Sequence, residues 1–369
     1  MAEKIFVHGN EAVCWGALEA DCEAYFAYPI TPQNEIPEWM SREFPKRGKV
    51  FVQAMSETGA INMVYGAAAA GVRVMTSTSG PGWGLMQETM SHLADNELPA
   101  VIVVVQRGGP GQGHTQHSQM DYMQVTRGGG QGGYRAMSLA PASVQEVHDL
   151  VQLAFHLSDK YLIPVIVLSD AMTGHIMESL DLRTLDFGPR PERQWAVKGK
   201  AHQKDGNRQI ILSHNLVRMV KPYDTYINFL EHLQQKWQEI EENEVRYESY
   251  RTDDAEIVLV AFGYMGRICK EAVEMAREQG LKVGLIRPIT LWPFPSKPIR
   301  AKAAEGADFL VVEDNLGQMI DDVRLAVAER GSVDLLGVLS RDTPMEGGRI
   351  FPDRVLEEIV KLSKRKTAS

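Results

Sequence analysis

The sequence predicts an α/β protein: a doubly wound parallel sheet over residues 1–190, a connection with a charged helix over 191–253, and a second, smaller α/β unit over 254–369. Three observations lead there. Residues 100–105 and 165–169 are continuous apolar runs, the pattern of strands buried on both faces of a parallel sheet. They alternate with stretches of helical spacing, such as residues 144–158. After a Pro/Arg-rich break at residues 187–195 and a polar stretch, the same alternation restarts at Asp254.

Taken in order, the chain begins with a helix that Asn10 is placed to cap, with Val13, Trp15, Leu18 and Cys22 at roughly helical spacing. A brief strand over residues 25–28 runs into Tyr28-Pro29-Ile30-Thr31-Pro32, where two prolines restrict the backbone around Thr31. Thr31 then either caps a helix over residues 33–44 or holds a substrate oxygen at that helix N-terminus. Residues 51–84 organise the rest: a strand end, Glu57 at a strand-to-helix turn, a small-residue helix over 60–70, a second strand and a glycine-rich turn. A carboxylate at the mouth of so apolar a helix is costly without a partner. Either Glu57 simply favours the positive helix N-terminus, or it hydrogen-bonds a ring nitrogen of a bound cofactor.

The strand at 100–105 ends at Gln106-Arg107, and ligands of open α/β sheets bind at such strand ends. Arg107 therefore either offers a planar guanidinium to a substrate carboxylate or forms a structural salt bridge. Glycines at 108, 109, 111 and 113 follow it without the GxGxxG order of a dinucleotide loop. His114 and His117 have no third ligand nearby, so no metal site is expected. Residues 128–135, rich in glycine, read as a flexible connection, and residues 231–250 as a charged amphipathic helix with a solvated face or an arm lying on a partner. Lys204-Asp205-Gly206-Asn207 is rejected as a magnesium motif, because lysine stands where GDG has its first glycine and no buried strand leads in. In the second unit, strands are expected at 256–262, 282–286 and 309–312, with a helix from the Gly263-Tyr264-Met265-Gly266 turn to Gln279. The basic tail, 361–369, is expected to be disordered.

Composition narrows the function. With 369 residues, 44% apolar and 24% charged, the chain is an ordinary globular protein large enough for two cores. Its net charge of −9, from 39 basic and 48 acidic residues, argues against a general nucleic-acid binder and means that an anionic substrate needs a local arginine. Cys14, Cys22 and Cys269 form no cluster, so neither a zinc ribbon nor a cysteine-ligated iron–sulfur centre is expected in this chain. Scattered cysteines, no signal-like apolar run and no stretch of spanning length suggest a cytoplasmic protein without a membrane partner.

Four segments, residues 28–32, 55–71, 76–86 and 104–113, together resemble the 2-oxoacid:ferredoxin oxidoreductases. Within that family they are similar to the alpha-type subunit that recognises the aminopyrimidine of thiamine diphosphate. The resemblance implies a pyrimidine-binding domain followed by a transketolase C-terminal-like domain. It implies that Glu57 is the catalytic acid against the pyrimidine ring, that Tyr28, Pro29, Ile30, Ser79 and Gly80 join it in contacting the cofactor, and that Thr31 and Arg107 contact the substrate. The implied reaction is coenzyme-A-dependent oxidative decarboxylation of a 2-oxoacid to acyl-CoA and carbon dioxide, with electrons passing to ferredoxin. Implied partners are a beta-type subunit holding the diphosphate and Mg2+, a gamma-type subunit, and a ferredoxin-like subunit with [4Fe–4S] clusters. A further domain fused to this module in some relatives is expected here as a separate chain. The loop Gly108 onward reads GGPGQGHTQHSQMDY, unlike the GGPSTG and Pro-Thr of the 2-oxoglutarate branch. With the glycine-rich segment at 128–135 it leans toward the 2-oxoisovalerate (branched-chain) type, 2-oxoglutarate being the alternative. A non-catalytic assembly subunit would have lost the acid at position 57, where glutamate stands, and an NAD-dependent dehydrogenase would carry the glycine fingerprint that is missing.

Overall fold

The computed structural model describes residues 3–197, 225–339 and 349–368. The first part runs β1 (Glu3–His8), α1 (Gly9–Glu19), β2 (Ala24–Ala27), α2 (Glu35–Lys46), β3 (Val50–Gln53), α3 (Glu57–Ala69), β4 (Val74–Thr78), α4 (Gly80–Asp95), β5 (Ala100–Gln106), α5 (Tyr122–Thr126), β6 (Met137–Leu139), α6 (Val144–Tyr161), β7 (Pro164–Asp170), α7 (Ala171–His175) and β8 (Met177–Leu182). There follow α8 (Tyr226–Asn243), β9 (Tyr247–Tyr250), β10 (Ile257–Val260), α9 (Gly263–Glu278), β11 (Val283–Pro288), β12 (Thr290–Trp292), α10 (Ser296–Ala304), β13 (Asp308–Val312), α11 (Ile320–Val327), β14 (Val333–Leu336) and α12 (Pro352–Ala368).

The expected doubly wound sheet forms, with strand order β12-β6-β7-β5-β4-β2-β3. Its central strand β5 is buried along its whole length, and its side chains alternate between two cores. Ile102 and Val104 pack with Ile61, Val64, Trp83 and Met86 of α3 and α4, whereas Val101, Val103 and Val105 pack with Val13, Ala17, Val147 and Val151 of α1 and α6. The second sheet, β14-β13-β10-β11-β9, is parallel except for β9. The seventh strand of the first sheet, β12, comes from the C-terminal part: Thr290 pairs with Leu139 and Trp292 with Ser138, antiparallel to β6. Nearby, Arg287 sends both terminal nitrogens to the Glu146 carboxylate, at 3.0 and 2.7 Å, and Nε to Glu248 at 3.0 Å. Such a planar fork matches a carboxylate bidentately, and here it joins β11 to the first turn of α6.

Several local expectations change. Asn10 lies inside α1, which starts at Gly9; its amide donates to Pro32 O and Glu35 Oε2, at 2.9 and 2.8 Å, so it ties α1 to α2 instead of capping. Helix α2 begins after Asn34 and not after Thr31. The break at residues 187–195 is no loose linker: Trp195 is buried, donating Nε1–H to Ala68 O at 3.2 Å, and Arg193 donates to Gly71 O at 2.7 Å. The basic tail is the end of α12. Leu362 joins Val355 and Ile359 in the core of the second unit, and Lys366 donates to Gly306 O (2.8 Å) and Glu256 O (3.1 Å) and pairs with Asp308 at 3.1 Å, so its charge is held at the starts of β10 and β13. Residues 204–207 lie outside the described residues. No described helix is long and apolar enough to cross a membrane.

The charged helix expected over residues 231–250 is α8, which ends at Asn243, the last four residues of that span forming β9; it turns Phe229, Leu233 and Ile240 inward. It is locked by Glu97, a buried carboxylate that accepts from His232 Nε2 at 2.7 Å and Lys236 Nζ at 2.5 Å. Burial raises the pKa of Glu97, but the hydrogen bonds and charges of His232 and Lys236 outweigh it and hold the carboxyl below its ordinary value. Because the folded value is depressed, this contribution is complete above the unfolded value of about 4.3 and is lost as pH falls through the folded one. Replacing Glu97 with glutamine is expected to destabilise the chain at neutral pH by about 3 kcal/mol, the scale for breaking a buried ion pair. Urea unfolding should show a lower midpoint at unchanged slope, with the difference from the parent shrinking on acidification; equal midpoints at neutral pH would show that the lock contributes nothing.

Candidate active site

Strands β5, β4, β2 and β3 are neighbours and parallel, so their C-terminal ends open along one edge of the sheet. Each delivers a segment already singled out. Leaving β2, Tyr28, Pro29 and Thr31 are exposed and Ile30 half-buried; β3 leads to Glu57, β4 to Ser79 and Gly80, and β5 to Arg107. Glu57, Ser79 and Arg107 are all buried.

Glu57 is the first residue of α3, behind a proper cap in which Ser56 Oγ accepts from Gly59 N at 3.1 Å. Its carboxyl also presses on the first turn of α4. A Cβ at Gly82 would lie 2.7 Å from both Cγ and Oε1 of Glu57, so only glycine permits the approach. Two positive helix ends therefore converge on one carboxyl group. Arg107 donates NH1 to Thr31 O at 2.9 Å and NH2 to Gln112 O at 2.9 Å. Thr31 and Arg107 are thus brought together, but through the threonine carbonyl; the hydroxyl instead accepts from Asn34 Nδ2 at 3.2 Å. Among the described residues Arg107 forms no salt bridge.

Buried polar atoms are nearly always paired. Here, among the described residues, Ser79 Oγ, Gln106 Nε2, Arg107 Nε and Asp121 Oδ2 are buried with no hydrogen-bond partner. Orphaned donors and acceptors converging at one edge suit a polar ligand, and an aminopyrimidine with its ring nitrogens and exocyclic amine fits this set. Beside them lies a cavity of about 520 Å³, lined by Gly80, Arg107, Met120, Asp121, Leu316 and Gln318 among others, a size suited to small-molecule sites.

The sequence reading passed over two of these groups. Asp121 is buried, with its amide donating to Gln106 Oε1 at 3.2 Å; burial raises its carboxyl to about 7, with Arg107 opposing the rise. The other is the segment from Glu313 to Met319, which closes the cavity from the second unit. Glu313 accepts from Met319 N (2.7 Å), Ile320 N (3.0 Å) and Asn315 Nδ2 (3.0 Å), capping α11 from within. Its neighbours hold the loop after β5. Gln119 N donates to Asp314 O (2.9 Å), Gln119 Nε2 to Phe262 O (2.9 Å), Asp314 N to Gln119 Oε1 (3.1 Å), and Asn315 Nδ2 to Gln119 O (2.8 Å). His117 joins this contact through Asp314 Oδ2 at 2.8 Å and Tyr264 OH at 3.0 Å, away from His114, whose backbone pairs with Gly108. The glutamine and aspartate stood in a quoted motif, but nothing local marks their burial.

The chain is 53% identical over 321 residues to the ketoisovalerate oxidoreductase subunit VorB of Methanothermobacter thermautotrophicus, covering 87% of this chain and 89% of that one. It is 36% identical over 395 residues to the 2-oxoglutarate synthase subunit KorA of the same organism, covering 99% and 100%. Among solved structures it resembles the 2-oxoglutarate:ferredoxin oxidoreductase from Magnetococcus marinus with 2-oxoglutarate, coenzyme A and succinyl-CoA bound, with TM-score 0.83 and 26% identity over 98% of this chain and 65% of that one. Residues 255–352 match the pyruvate:ferredoxin oxidoreductase core domain II. Because residues 15–252, most of its length, match the thiamine diphosphate-binding region, the chain belongs to the pyruvate flavodoxin/ferredoxin oxidoreductase family.

Proposed function

We propose that this chain is the pyrimidine-side subunit of a 2-oxoacid:ferredoxin oxidoreductase that acts on 2-oxoisovalerate and related branched-chain acids. The observation that carries the reading is the gathering of Thr31, Glu57, Ser79 and Arg107 at adjacent parallel strand ends, in a chain 53% identical to a ketoisovalerate oxidoreductase subunit. The overall change is 2-oxoacid plus coenzyme A giving acyl-CoA, carbon dioxide, one proton and two electrons. Thiamine diphosphate, when bound, supplies the electron sink that decarboxylation needs.

The chain's own residues prepare that chemistry. Glu57 is held by two helix ends where it can hydrogen-bond a pyrimidine ring nitrogen and hold a proton there. The segment at Tyr28, Pro29 and Ile30 and the turn at Ser79 and Gly80 form the rest of the pyrimidine seat. Arg107, with Nε unengaged, orients the carboxylate of the acid, and Thr31 holds the arginine while offering its own exposed surface to the substrate. Residues 1–190 act as the pyrimidine-binding domain and 254–369 as the support that closes the cavity.

The free cysteines Cys14, Cys22 and Cys269 are all buried. In this reading the two electrons leave through [4Fe–4S] clusters in a ferredoxin-like partner, while beta-type and gamma-type partners supply the diphosphate and Mg2+ site and complete the assembly, in the cytoplasm. A second reading, the same reaction on 2-oxoglutarate, is supported by the full-length similarity to the 2-oxoglutarate synthase subunit.

Anaerobic, coenzyme-A-dependent viologen reduction by the co-purified complex should be fastest with 2-oxoisovalerate among pyruvate, 2-oxoglutarate and an aryl 2-oxoacid; fastest reduction with 2-oxoglutarate would transfer the assignment to the second reading. Glu57→Gln should lower turnover by a factor of about 10² or more, the scale of a lost acid–base group, and unchanged turnover would remove Glu57 from the mechanism. Arg107→Lys should raise KM for the acid by about tenfold, because a single ammonium cannot both keep the carbonyls of Thr31 and Gln112 and turn an N–H to the acid, with thiamine diphosphate affinity unchanged by calorimetry. A parallel loss of thiamine diphosphate affinity would make Arg107 structural.

A further inference from the structure

Asp121 is a buried carboxyl on the wall of the cavity with no hydrogen-bond partner among the described residues. Its oxygens lie against the first residue of α4, where a Cβ at Gly80 would stand 2.9 Å from Oδ1 and 3.0 Å from Oδ2. Among the described residues Oδ2 finds no hydrogen-bond donor, although Arg107 lines the same cavity. That guanidinium is committed to the carbonyls of Thr31 and Gln112, and the two form no salt bridge.

Other charged and titratable groups around Asp121 have their own partners or lie behind other residues. Glu57, on α3, lies behind Gly82. Tyr122 and His117, on the same loop, turn to Asp322 and Asp314 of the second unit, and Glu313 caps α11. Among the described residues the cavity therefore holds one cation, Arg107, and one acid without a hydrogen-bond partner. With Asp121 ionised the two charges cancel; with it protonated the cavity is positive and Asp121 has an O–H to donate.

We propose that Asp121 is a substrate-positioning residue: binding of a 2-oxoacid carboxylate beside Arg107 is coupled to uptake of one proton by Asp121, whose O–H then donates to the bound anion. This rests on the reading of the site as a 2-oxoacid site. The proton comes from solvent and returns to it when the anion leaves, so no bond other than O–H is made or broken. The carboxyl, raised by burial to about 7, is placed to make this exchange near neutral pH.

The test uses the assembled complex and 2-hydroxyisovalerate, which keeps the carboxylate and branched chain but lacks the oxo group. Its inhibition constant against 2-oxoisovalerate is measured between about pH 6 and 9. Wild type should be flat below about 7 and weaken by about tenfold per pH unit above it, and calorimetry in buffers of different ionisation enthalpy should detect proton uptake approaching one at the alkaline end. Asp121→Asn, which cannot take up a proton, should show neither the slope nor the uptake. PH-independent inhibition in wild type, or a variant that keeps the slope, overturns the proposal while leaving 2-oxoacid reduction of viologen intact. Failure of every 2-oxoacid to support reduction, with no inhibition at any pH, removes the substrate reading and this proposal together. If the variant does not assemble, the wild-type proton uptake alone decides.

Discussion

The loop at the mouth of the cavity is tied to the second unit by one buried residue, Gln119. Its backbone amide and carbonyl and both ends of its side-chain amide are engaged by the second unit, through Asp314, Asn315 and Phe262. Each such bond contributes about 1 kcal/mol net, but leaving its buried partner unpaired costs more than making it gains. The set is therefore closer to all-or-none than to a sum, and it fixes the loop that carries Gln112, Met120 and Asp121. The Glu313 carboxylate, bonded to the amides of Met319 and Ile320, makes the opposing surface equally rigid. An edge built on loops is thereby held by as many hydrogen bonds as one built on strands.

Much of the fold was legible because its signals are local. Continuous apolar runs give β5 and β7, and helical spacing gives α6 and α9. The positions of Glu57, Ser79 and Arg107 follow from the same logic, since each stands just past the end of a strand. What was illegible depends on distant partners. Strand β12 has three residues and gains its identity only by pairing with β6, far away in sequence. The last turns of α12 look like a solvated basic tail until the carbonyls of Glu256 and Gly306 are seen to receive Lys366. Asp121 looks like an ordinary loop aspartate, and its burial is created by α4 and by the second unit. Asn10 and Thr31, both plausible caps, were displaced by a better-connected arrangement in which Asn10 bridges α1 to α2.

The site also shows why small residues crowd this part of the chain. Gly80 and Gly82 let two carboxyls, Asp121 and Glu57, lie against the first and third positions of one helix turn. A side chain at either glycine would displace an acid that the local charge pattern depends on. The helix end supplies partial positive charge without a titratable group of its own, so both acids can be placed within a turn of each other without a second buried cation.

Strand β12 gives the molecule an unexpected kind of indivisibility. The two sheets look like exchangeable parts, and a cut before Asp254 would seem to separate them cleanly. Yet that cut would strip β6 of one of its two neighbours and leave Met137–Leu139, all buried, as an edge with one side unpaired. Such an edge invites pairing with other chains.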